Sequence, residues 1–236
     1  MTTDEVTNQS SKENRLVKIS DMGRKGEGKM SYFRAISLNS ISNEFCSKMS
    51  ENPDNICYYC YSKRLLNTAR KSIVPALQHN TELLTNALIE RHNINATFRP
   101  GEYVRLLAHG ELVNDISFRN FCQIASWYPY VNFIMWTKRI DIVTRLHDIV
   151  PSNLKLIYSD VKINRSPEEV NIPEYFNGVF RVYTKDYVVK NNVHINCNKK
   201  CCVCLRCYRD IQNGNVVINE LVNLVNNPSS DHYEVK

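Results

Sequence analysis

Apolar positions between residues 103 and 183 fall into two alternating kinds of segment. Tyr103 to Leu107, Val131 to Trp136, Leu154 to Tyr158 and Val179 to Tyr183 are short, nearly unbroken runs with the length of buried strands. Phe118 to Trp127 and Ile140 to Ile149 instead carry their apolar residues at helical spacing, as in Ile140, Val143 and Leu146. Strands separated by helices of about ten residues imply βαβ units and a parallel sheet. The pattern therefore predicts an α/β fold with at least four such strands, as a partial (β/α) barrel or an open parallel sheet.

Upstream, Pro75 opens a helix with Leu77, Leu84 and Leu88 on one face, and Leu65, Leu66 and Ala69 predict a helical stretch before it. Residues 36–61 show no period and read as an irregular, cysteine-bearing loop. Val217, Leu221 and Leu224 predict a last helix over about 217–226. Residues 1–14 hold almost nothing apolar and are expected to be disordered, Gly23, Gly26 and Gly28 mark a loop, and 227–236 is a polar tail. This divides the chain into a core over 15–194 and a cysteine-rich extension with its helix over 195–226.

Parallel sheets build their sites at the C-terminal ends of the strands. Polar residues gather there: His109-Gly110-Glu111, Thr137-Lys138-Arg139, Ser159-Asp160 and Thr184-Lys185-Asp186. Gly110 allows close backbone approach, and Glu111, held at a strand end, can accept hydrogen bonds from an ammonium group. Arg105, Lys138 and Lys185 are expected along the same edge, facing an anionic substrate.

Composition narrows the function classes. The chain is 43% hydrophobic and 23% charged, and no apolar run reaches the eighteen or so residues of a membrane span. The N-terminus lacks a signal-peptide core. A cytoplasmic protein without structural disulfides is expected. A net charge of +6 permits nucleic acid as a partner but does not require it. Tyr58, Tyr59 and Tyr61 beside Lys63 and Arg64 would suit base stacking, or simply core packing.

Nine cysteines in a reducing compartment need a reason. Cys122 fits an apolar helix face as a small hydrophobe. The other eight form two groups. Cys197-x3-Cys201-x2-Cys204-x2-Cys207, with Cys202 spare, puts four thiols within eleven residues. So compact a set suits a Cys-ligated iron–sulfur cluster, with tetrahedral zinc as the alternative. Cys46, Cys57 and Cys60 offer three thiolates, which leave one iron of a 4Fe-4S cluster open to an outside ligand. They could also be zinc ligands completed by His79, His109 or His194, or converge with the second group on one metal.

Cys57, Tyr59 and Cys60 before a helix, with Gly110-Glu111 after the following strand, resemble the radical S-adenosylmethionine (SAM) superfamily. Its partial barrel carries a three-cysteine motif after the first strand and a Gly-Gly-Glu after the second. The resemblance implies a 4Fe-4S cluster on Cys46, Cys57 and Cys60, with Tyr59, Gly110 and Glu111 toward SAM. The spacing between Cys46 and Cys57 and the presence of His109 depart from that pattern. Over about 30–226 the chain is also similar to the phage gene product 88 family, through Asn43-Glu44-Phe45-Cys46, Cys57 to Tyr61, His109 to Leu112, Trp136-Thr137-Lys138 and Cys201 to Tyr208. That similarity implies a viral or prophage origin and a bacterial host cytoplasm. It supplies no activity, so the substrate, small or macromolecular, stays open.

Overall fold

The structure, a computed structural model, describes residues 16–22, 28–169, 172–209 and 216–222. The expected N- and C-terminal tails and the glycines at 23 and 26 lie outside the described residues.

Seven strands form one sheet whose spatial order is the sequence order. β1 (Ser20–Asp21) runs antiparallel to β2 (Arg34–Ile36). β3 (Tyr103–Leu106), β4 (Asn132–Thr137), β5 (Leu154–Ile163), β6 (Gly178–Tyr183) and β7 (Val216–Leu221) then follow in parallel, each beside its predecessor. Crossovers between parallel strands are almost always right-handed, so an order without reversal sends the intervening helices to one face. The core agrees. Leu84 of α3 (Val74–Asn86), Phe118 and Phe121 of α4 (Asp115–Trp127) and Ile142 and Val143 of α5 (Ile140–Leu146) pack with Val104, Leu106, Phe133, Met135 and Leu156.

Alternate residues of the same strands point the other way. Ile134, Ile157, Phe180, Val182, Val216 and Ile218 form a second core there, packed against Trp136, Cys197, Cys207 and Tyr208. The C-terminal cysteine segment thus covers the face that the crossover helices leave bare. It also joins the two margins of the sheet. Cys201 N donates to Lys29 O at 2.7 Å, Lys29 pairs with Glu220 on β7, and the Tyr208 ring meets Phe33 at 5.5 Å and Tyr103 at 4.8 Å. Among the described residues, β1 and β7 do not pair.

Several elements differ from the expectation. The last helix over 217–226 is β7 as far as the chain is described, to residue 222. Val216-Val217-Ile218 is β-branched and favours the extended chain, and β6 supplies six paired positions. β2 has only three residues, too short to show a period. The irregular stretch 36–61 contains a short helix, α1 (Glu44–Met49), and α2 (Tyr61–Asn67) follows it directly. Leu88, expected on the face of α3, lies beyond that helix and is exposed. A helix not foreseen, α6 (Lys185–Asn191), follows β6 behind a Thr184 cap.

Candidate metal centres

The first cysteine group lies in the crossover from β2 to β3, over the C-terminal ends of the strands. Asn43 fixes its start. The Asn43 side chain caps α1 by accepting from Cys46 N at 3.1 Å, and its amide donates to Glu111 O at 2.9 Å. One residue therefore ties the Cys46 helix to the strand end that carries Glu111. Further on, the Tyr61 hydroxyl donates to Ala108 O at 2.6 Å, and Ile163 N donates to Asp54 O at 3.2 Å. These anchors hold 43–61 across β3 and β5.

Cys46 is buried, and Cys57 and Cys60 are half-buried. Burial, then the Glu111 carboxylate and the Cys57 and Cys60 thiols, push the Cys46 thiol up. Burial also raises Cys57, against the opposing pull of Lys138. Burial disfavours the charged form of Lys138, but Cys57, Glu111, Cys60 and Cys46 outweigh it, and its pKa lies above the ordinary lysine value. Three thiols, a carboxylate and an ammonium thus share one neighbourhood, assembled from positions up to 92 apart (46 to 138). The Lys138 ammonium donates to Ser159 Oγ at 2.9 Å.

Glu111 is buried, and its carboxylate is engaged within the protein. It accepts from Leu112 N at 2.8 Å, from the Thr137 hydroxyl at 2.5 Å and from Lys138 N at 2.8 Å. It therefore clamps the end of β3 to the end of β4. Gly110 is required by the backbone itself. Its φ is +76°, and a Cβ there would lie 2.5 Å from Leu38 O. His109 Nδ1 lies 2.8 Å from Ser62 Oγ, and His79 Nε2 lies 2.9 Å from Leu16 O. Each of these histidines has a protein partner, while His194 is exposed. Tyr58 and Tyr59 pack edge to face, with centroids 4.9 Å apart.

The second group begins where Cys197 N pairs with Asn219 O of β7 at 3.1 Å. It continues through α7 (Cys201–Cys204), turns at Leu205 with φ +50°, and ends in α8 (Arg206–Arg209). The left-handed turn brings Cys207 back over the sheet. Burial pushes Cys201 up to about 11, with Lys29 and Arg105 opposing, and Cys207 up to about 12, with Cys197 adding and Arg105 opposing. Cys197 is raised by burial and by Glu220. The thiols that weigh on Cys197, Cys201 and Cys207 all come from the set 197, 201, 204 and 207, and Cys202 is not among them. Likewise the thiols that weigh on Cys46 are Cys57 and Cys60, and the one that weighs on Cys57 is Cys60.

Arg105 belongs with this second group. It sits mid-strand on the sheet face opposite the crossover helices, its guanidinium 3.8 Å from the Trp136 ring centroid. Lys185 is exposed at the start of α6. Cys122 is a core residue of α4, raised to about 12 by burial. Sequence reading placed Asn43 and Thr137 near the candidate site without giving either a role, and it missed Lys29. Asn43 had a local signal, an Asn three positions before Cys46. The Lys29–Glu220 pair spans 191 positions and had none.

Among the described residues, no group of three His, Cys, Asp or Glu side chains is arranged so as to hold a metal ion as it stands. No helix of the described residues is long and apolar enough to cross a membrane. No curated protein and no solved structure matches the chain. The family model described as Gene product 88 matches residues 7–215, a span that takes in both cysteine groups and ends just before β7. By that match over most of its length, the chain belongs to the phage family Gene product 88.

Proposed function

We propose that this phage protein is an iron–sulfur protein with two clusters, working in the cytoplasm of its bacterial host. One cluster would be held by Cys46, Cys57 and Cys60, the other by Cys197, Cys201, Cys204 and Cys207. The observation that carries the reading is the sorting of seven thiols into two neighbourhoods, each met by buried or half-buried cations: Lys138 at the first, Lys29 and Arg105 at the second. Cations beside thiols offset the negative charge that thiolates and a cluster bring. Thiols kept in protonated form by burial must lose their protons on loading, which a metal enforces.

For the first group, the radical-SAM-like reading rests on topology. Its cysteines follow the first parallel strand, β2, and Gly110-Glu111 follow the second, β3, in a sheet wound in sequence order as a partial barrel would be. A three-thiolate 4Fe-4S cluster supplies one electron and an open iron, for which SAM is the ligand the likeness suggests. The chain's own residues would do the rest. Glu111, fixed by its three donors, has one lone-pair direction left for an ammonium group. Lys138 would hold an anionic group beside the thiols, and Tyr59 would wall the site.

The test is anaerobic purification with an absorption spectrum and iron, sulfide and zinc counts. About eight irons and eight sulfides per chain are expected for two 4Fe-4S clusters. A colourless, zinc-loaded, iron-free protein would overturn the proposal. SAM should perturb the EPR signal of the reduced first cluster, and Cys57→Ser should abolish the effect. A signal indifferent to SAM removes the SAM-binding part and leaves a redox protein.

A further inference from the structure

The C-terminal cysteine segment does not lie flat on the sheet. Between them is a narrow cleft, part of it open to solvent, lined by Arg105, Trp136 and the four thiol-bearing residues 197, 201, 204 and 207.

Two N–H groups on this lining lack a hydrogen-bond partner among the described residues. They are Arg105 Nε and Trp136 Nε1, and both are buried. Arg105 is 9% exposed. A bare buried N–H is costly, and such groups nearly always face an acceptor. Both side chains can only donate. What they face must therefore accept, and next to a guanidinium it is best anionic. The acceptors the second cysteine group would bring to this cleft are thiolate and sulfide sulfurs. Trp136 is itself held in place, its ring 4.3 Å from Phe180 and 3.8 Å from the guanidinium carbon. The donor pair is thus preset by packing and need not reorganise.

We propose that Arg105 and Trp136 donate hydrogen bonds to the sulfurs of an iron–sulfur cluster held by Cys197, Cys201, Cys204 and Cys207, and so raise its reduction potential. This inference rests on the two-cluster reading above. The sign follows from charge. Reduction adds an electron to an anionic cluster, and a buried cation and fixed N–H donors stabilise the more negative state more strongly. Both residues are positioning residues with respect to any chemistry at the first group.

The experiment uses the full chain carrying Cys57→Ser and Cys60→Ser, two half-buried positions, so that only the second cluster remains. Iron is counted, folding is checked by circular dichroism, and the midpoint is measured by dithionite titration with mediators, followed by EPR. About four irons should be retained. Adding Arg105→Met should shift the one-electron equilibrium toward the oxidised form by about tenfold, a fall of about 59 mV. Trp136→Phe, which keeps the ring and loses the N–H, should lower the midpoint by a smaller step. Unchanged midpoints with iron retained overturn this inference and leave the two-cluster reading standing. Loss of all iron from the folded double-serine chain, when the unmodified chain binds iron, overturns the second cluster itself. If Arg105→Met does not fold, Trp136→Phe decides alone, and an unchanged midpoint there overturns the proposal.

Discussion

Glu111, Gly110 and His109 show how three adjacent residues that read as a ligand site also serve the fold. Gly110 combines a positive φ with a backbone contact that a methyl group would violate, whereas Gly101 has a similar φ of +77° and open space around it. Gly101→Ala should then cost about 1 kcal/mol, the left-handed penalty alone. Gly110→Ala should cost at least about 2 kcal/mol more, read as urea midpoints. Equal costs would show that Leu38 yields. His109 is buried, and burial, followed by the charges of Arg70 and Arg105, lowers its pKa to about 4. The unfolded chain takes up this proton near pH 6.5 and the folded chain only near 4. The stabilisation is therefore complete above about 6.5 and is lost as pH falls toward 4. On the order of 3 kcal/mol is at stake. His109→Gln should flatten the stability profile between those limits, and a parallel slope in the variant would rule His109 out as the source.

At the scale of elements, α1 depends on Asn43 for two jobs at once. Its side chain caps the helix and its amide reaches Glu111 O. Asn43→Ala should lose about 2 kcal/mol, roughly half from the cap and half from the second bond. Asn43→Ser, able to cap but too short to reach Glu111 O, should recover about half of that in thermal or urea melts. The same element explains a limit of pattern reading. α1 has six residues and β2 three, both shorter than one useful period of the hydrophobic pattern. β7 was misread for a different reason. Val217, Leu221 and Leu224 do recur at helical spacing, but the β-branched run that opens β7 and the free edge of β6 outweighed that spacing.

Across the whole molecule, the cysteine-rich extension fastens the first and last parts of the sheet together through Lys29, Tyr208 and Glu220. If metal shapes that segment, its removal should loosen both margins. Chelation should speed amide hydrogen exchange in 28–36 and 216–221 well before β3 to β5, whose strands are paired on both sides. Uniform exchange across the sheet would show that the extension contributes little to closure. The sequence by itself determined the α/β class, four of the six parallel strands, the placing of eight cysteines in two stretches of the chain and the core position of Cys122. All of these follow from local period and spacing, which are properties of neighbouring residues. Only the tertiary structure decided that Arg105 lies beside the second group, that Glu111 is spent largely on Thr137 and the backbone, and that Lys29 meets Glu220. Those side-chain contacts join residues from 26 to 191 positions apart, brought together by sheet order and by which side of each strand faces the extension. A chain's local pattern carries no record of either.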